Sequence, residues 1–88
     1  MYSIELKPRA SKFIEAQPKK IQRQLFTHIE ALTFNPRPAG SKLLYADEKL
    51  YRIRSGNYRI IYQIQDKILL VVIVKIGDRK DIYRHLGK

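Results

Sequence analysis

No cysteine occurs in the 88-residue sequence, which excludes a disulfide framework and a thiolate metal site and is compatible with a reducing compartment. Glycine and proline are scarce, four of each, while 44% of residues are apolar. That is the composition of a folded globular domain, not of a disordered tail. No apolar run reaches the ~18 residues of a membrane span, and the N-terminus lacks a basic stretch followed by an apolar signal region. A cytoplasmic protein that meets no membrane is the expectation. One domain over residues 1–88 is expected too, because so short a chain buries only about 60–65% of its unfolded surface and cannot supply two cores. The two histidines stand too far apart for a metal site, and Gly40-Ser41-Lys42 lacks the spacing of a phosphate loop. Acidic residues are few, eight against eighteen Lys and Arg, for a net charge of +10. Such a charge attracts polyanions and accelerates encounter with them, so nucleic acid leads the list of partners. Residues 36–88 carry twelve of the basic residues and five of the acidic ones, and are the more positive half.

What is present is a change of period along the chain. Tyr2, Ile4 and Leu6 alternate with polar residues, as in a half-buried strand. Pro8 suits the first turn of a helix, Ala10, Phe13 and Ile14 follow at helical spacing, and Pro18 ends that helix while opening the next. Ile21, Leu25, Ile29 and Leu32 line one face of the second helix. The breaker Asn35-Pro36-Arg37-Pro38-Ala39-Gly40 follows, and beyond it the period is that of strands. Leu43 to Tyr45 form a short apolar piece, Ala46 to Lys49 a turn, Leu50 to Arg54 a strand, and Ser55-Gly56-Asn57 a tight turn into Tyr58 to Ile64. Gln65-Asp66-Lys67 then turns into a strand over Ile68 to Ile76, apolar on both faces and therefore expected inside the sheet. The fold class is α+β: an N-terminal strand, a two-helix hairpin, then a three- to four-stranded, mainly antiparallel sheet with the helices on one face.

With Gly56 and Asn57 as the central residues of a two-residue turn, Ser55 pairs with Tyr58, Arg54 with Arg59, Ile53 with Ile60 and Arg52 with Ile61. Arg52, Arg54 and Arg59 then share one face, while Tyr51, Ile53, Ile60 and Tyr62 face the core. Like charges directly opposite each other in a sheet cost up to ~1 kcal/mol, so this face either binds an anion or is simply solvated. A three-residue loop would shift the register and separate Arg54 from Arg59. Beyond Gly77 comes a polar ending with Arg79 and Tyr83. Tyr83 alone reads as a packing residue; beside Lys75, Arg79, Arg84 and His85 it suits stacking on a base next to a phosphate. His28 borders the apolar stripe of the second helix and reads as structural.

The stretch Leu50-Tyr51-Arg52-Ile53-Arg54-Ser55-Gly56-Asn57-Tyr58-Arg59-Ile60-Ile61-Tyr62, followed by Lys75-Ile76-Gly77-Asp78-Arg79-Lys80-Asp81-Ile82-Tyr83, resembles the RelE/ParE superfamily of bacterial and archaeal toxins. The likeness spans nearly the whole chain. It implies a ribosome-dependent endoribonuclease, or mRNA interferase, that cuts mRNA in the decoding site without metal or cofactor and inhibits translation. It also implies a hetero-oligomer with a RelB-like antitoxin. Arg52, Arg54, Arg59, Arg79 and Tyr83 match the family's catalytic positions, with Lys75, Lys80, Arg84 and His85 as RNA-binding neighbours. Arginine suits the crowded phosphate of a 2′-OH attack, since its fixed fork of donors matches phosphate oxygens and stays charged. This chain departs from the best-known members, which carry lysines where it has Arg52 and Arg54. Arginine does not readily lose its proton, so the general base lies with Tyr83, His85 or the ribosome, or is dispensed with in a slower reaction. The superfamily also holds toxins that poison DNA gyrase and cut no RNA, the alternative reading, and a plain RNA-binding module is a third.

Overall fold

The computed structural model describes residues 1–80 and 82. Strand β1 (Ser3–Leu6) leads into helices α1 (Pro8–Glu15) and α2 (Lys19–Ala31), and four strands follow: β2 (Lys42–Tyr45), β3 (Leu50–Ser55), β4 (Tyr58–Gln65) and β5 (Leu70–Asp78). Pro8 begins α1 and Pro18 caps α2, positions where a fixed φ and a missing N–H cost a helix nothing. The five strands form one sheet in the order β1-β5-β4-β3-β2. The last four are antiparallel neighbours, and β1 runs parallel to β5 at the far edge. The apolar strand β5 therefore lies between two partners, as its composition requires.

Both helices lie on one face of the sheet. Ala10, Ile14, Leu25 and Ile29 meet Ile53, Ile60, Tyr62, Ile64, Val71, Ile73 and Ile76 in the main core, with Leu32 closing its end. Fully burying a Leu or Ile side chain contributes about 1.5–3 kcal/mol, so this layer carries most of the stability. Tyr62 is completely enclosed; its hydroxyl donates to the Pro36 carbonyl at 2.8 Å and its ring stacks on Tyr51. Burial pushes that phenol up to about 12.

The start of β5 differs from the sequence pattern. Asp66–Ile68 form a 3-10 turn, Leu69 takes φ 52°, and β5 begins only at Leu70. Ile68 and Leu69 are 64% and 46% exposed, so the apolar run overshoots the buried strand by two residues. The reason is an ionic clamp at this end of the sheet. Arg37 donates to both Asp66 carboxylate oxygens at 3.2 and 2.8 Å, and the Tyr2 hydroxyl donates to the first at 2.7 Å. The Arg37 guanidinium also lies over the Tyr51 ring. Arg37 and then Tyr2 hold the Asp66 carboxyl down at about 2. Among the described residues, no helix is long and apolar enough to cross a membrane.

Candidate nucleic-acid interface

The β3–β4 hairpin has the two-residue turn and not the three-residue loop, with Gly56 at φ 61° and Asn57 outside the positive region. Only the first central residue is left-handed, the II′ pattern that glycine serves without steric cost. Register follows: Ser55 opposite Tyr58, Arg54 opposite Arg59, Ile53 opposite Ile60, Arg52 opposite Ile61. Arg52, Arg54 and Arg59 therefore share the face turned away from the helices.

Pairing across the whole sheet extends that face. Lys42 pairs with Arg52 and Lys75 with Ile61, so Lys42, Arg52, Ile61 and Lys75 form one row over four strands. Arg54, Arg59 and Gly77 form the next. Lys42 escaped the sequence reading because its place depends on the irregularity between Leu43 and Tyr45, which local periodicity does not encode. A second irregularity, after Ile61, sets Lys75 on this face.

The face is not a uniform basic plain. Ile61 and Ile82 are fully buried and pack with Leu50, Leu44 and Val74 in a small second core on this side. The chain leaves β5 at Asp78, whose carbonyl accepts from the Ile82 amide at 2.9 Å, and Ile82 returns onto the sheet over Gly77. A Cβ on Gly77 would lie 3.2 Å from Ile82 Cδ1, so the glycine is the seat for this side chain. Basic groups thus ring a short apolar strip.

The arginines differ in access. Arg54 is exposed and Arg52 half-buried, whereas Arg59 is 8% exposed and its Nη1 donates to the Gly56 and Tyr58 carbonyls at 3.3 and 3.1 Å. Arg59 is thus a fixed donor, and Arg54 is a reachable one. Arg79 joins them because its amide donates to the Asn57 carbonyl at 3.2 Å, clipping the loop after β5 to the hairpin turn. The exposed Lys80 sits in the same loop, its amide bonded to Asp78 Oδ1. The structure thus brings Arg52, Arg54, Arg59, Lys75, Arg79 and Lys80 to one side and one end of the sheet. Tyr83, Arg84 and His85, also singled out in the sequence, lie outside the described residues. His28 sits on the other side of the sheet, its Nδ1 2.8 Å from the Ser55 hydroxyl, in keeping with a structural role.

The fold and this basic sheet face define a small α+β domain with one cationic sheet surface. Residues 4–83 match the family described as the ParE toxin of type II toxin-antitoxin systems, and the chain belongs to that family, in its RelE-like branch. An Escherichia coli protein named as a RelE-like toxin is 27% identical over 85 residues, covering 93% of this chain and 90% of its own length. A Methanocaldococcus jannaschii protein named as toxin RelE1 is 26% identical, covering 96% and 97%. Among solved structures, the archaeal RelE-RelB complex from Pyrococcus horikoshii superposes with TM-score 0.80 at 26% identity, covering 89% of this chain and 94% of that one. The intact E. coli RelBE toxin-antitoxin complex gives 0.76 at 26%, covering 89% and 96%. The strand, two-helix and sheet order expected from the sequence is the order of this fold.

Proposed function

We propose that this RelE-like toxin is a ribosome-dependent endoribonuclease that cleaves mRNA in the decoding site, acting in the cytoplasm and held in check by a RelB-like antitoxin. The observation that carries the reading is the register of Arg54 opposite Arg59, beside Arg52 and within reach of the Arg79 loop. A sheet face that gathers this much positive charge gains most from a phosphate, which satisfies several guanidinium forks at once. In the reaction the 2′-OH gives its proton to a base and attacks the adjacent phosphorus, the bond to the 5′ oxygen breaks, that oxygen takes up a proton to become a 5′-OH, and a 2′,3′-cyclic phosphate remains. Arg59, tied to the turn carbonyls, stabilises the crowded anionic phosphate; a donor that needs no reorganisation is the effective kind. Arg52 and Arg54 grip the flanking backbone, Arg79 serves the leaving-group side, and Tyr83 stacks on the attacking nucleotide. Lys75, Lys80, Arg84 and His85 add backbone and base contacts. Arginine is a poor general base, so the base comes from Tyr83, His85 or the ribosome.

The test is mRNA translated on purified ribosomes with the toxin added, its ends mapped by primer extension and their chemistry by phosphatase treatment. Cuts within codons carrying cyclic or 3′-phosphate ends are expected. Arg59→Ala, Arg79→Ala and Tyr83→Phe should each slow cleavage, Arg59→Ala by about 10²–10³-fold, the usual cost of losing one transition-state donor. Three fully active variants would mean that the site is misplaced. The family description, a ParE toxin, favours gyrase poisoning as the second reading; intact mRNA together with inhibited supercoiling would establish it.

A further inference from the structure

The reactive hairpin is held from beneath by a polar pair on α2. Gln24 and His28, one turn apart on that helix, both reach the fully buried Ser55 at the end of β3. Gln24 Nε2 donates to the Ser55 carbonyl at 3.0 Å and to its hydroxyl at 3.2 Å. His28 Nδ1 lies 2.8 Å from the same hydroxyl and 3.1 Å from the Gln24 carbonyl. Gln24 also fills the space under the turn, where a Cβ on Gly56 would stand 2.8 Å from its Nε2.

Ser55 stands next to Arg54, and the Gly56 carbonyl one peptide further on accepts from Arg59 Nη1. The helix amide and the arginine guanidinium therefore grip neighbouring carbonyls of one turn from opposite faces of the sheet. We propose that Gln24, braced by His28, is a positioning residue that sets Arg54 and Arg59 through the Ser55-Gly56 turn. Leu25 and Ile29 of the same helix pack in the main core, whereas Gln24 meets the turn. Its effect lies in where the turn sits, and a misplacement of about 1 Å in a reacting group can cost on the order of 10²-fold in rate.

The inference rests on the ribonuclease reading for its rate effect, but it has a readout of its own. Three variants are compared with the wild type. Gln24→Met keeps length and helix propensity without the donor, and Gln24→Glu keeps shape but only accepts when ionised. Gln22→Met is the control, since that amide bonds only the Gln17 carbonyl in the interhelix turn. In ribosome cleavage, Gln24→Met and Gln24→Glu should lose about tenfold or more in kcat with KM changed by less than about twofold, as expected when a transition-state contact is lost. Gln22→Met should match the wild type. In side-chain 15N spectra the Arg59 Nε–H signal should move in both Gln24 variants. It should return toward the wild-type position in Gln24→Glu as the pH falls into the carboxylate range, where the protonated acid donates again. Wild-type kcat and an unmoved Arg59 signal in Gln24→Met would overturn the inference; should that variant not fold, the same result in Gln24→Glu does so. A wild type that cuts no RNA overturns the ribonuclease reading instead, and the Arg59 signal still decides the positioning role.

Discussion

Replacing Arg54 with threonine should make this protein more stable while, on the proposed function, weakening RNA cleavage. Arg54 stands directly opposite Arg59 on the sheet and is itself exposed. Long side chains splay, so a charge separation of about 8 Å is reasonable, and two unit charges that far apart in water repel by about 0.5 kcal/mol. Measured cross-strand pairs fall in the same range, roughly 0.2–1 kcal/mol. Threonine is a good strand former, so Arg54→Thr should gain about 0.5 kcal/mol, equivalent to roughly 2–4 °C for a domain of this size. Urea unfolding at low salt measures it. The same experiment near 1 M salt, where the Debye length shrinks to about 3 Å, should abolish the gain. Adding a phosphate-rich oligonucleotide should reverse the ranking, because a ligand stabilises most the form that binds it best. A gain that persists in high salt would show that repulsion is not its source, and a loss of stability would refute the reasoning outright.

Two further outcomes concern the scaffold. Tyr62→Phe keeps the stack on Tyr51 but strands the buried Pro36 carbonyl; a stability loss of about 1–2 kcal/mol is expected in urea unfolding, and a neutral result would mean that another donor reaches Pro36. Asp66 is held down to about 2 from an ordinary 3.8, first by Arg37 and then by Tyr2. Its contribution is therefore complete above pH 3.8 and is lost as pH falls from there through about 2, with the sign that a depressed carboxylate requires. Asp66→Asn should flatten the stability profile in that window, and parallel wild-type and variant profiles would remove the clamp as the cause.

The hairpin was legible because Gly56-Asn57 favours a tight two-residue turn over a three-residue loop, and that turn fixes every pairing down to Arg52 with Ile61. The helices were legible from their prolines and apolar stripes. What the pattern concealed depends on partners distant in sequence. Whether Lys42 and Lys75 join the basic face rests on strand irregularities, and the parallel docking of β1 on β5 spans some 67 residues (Ser3 to Leu70). Ile68 and Leu69 read as strand by hydropathy, but the clamp on Asp66 captures the turn beside them. Gly77 reads as the end of a strand, yet its missing Cβ makes room for Ile82. The Gln24 and His28 pair did leave a trace, as polar residues one helical turn apart beside the apolar stripe, but their common target Ser55 is visible only in the folded chain.

The division of labour between the two sheet faces explains how so small a domain tolerates opposed arginines. Among the described residues, the helix side holds a cluster of twelve buried residues, whereas the cluster on the basic side holds three. Stability therefore comes mainly from the helix-covered face, and the other is left to charge. The Ile61 and Ile82 contact is the exception. It is apolar burial placed among cations, and it fastens the chain next to Tyr83 onto the arginine face. The same few ångströms of sheet must hold a hydrophobic anchor and a cluster of cations, and Gly77 reconciles them by giving up its side chain in the row where Arg54 and Arg59 stand. A larger residue there would lift Ile82 from its seat while leaving every arginine in the sequence. Activity would then be lost through position, not through chemistry.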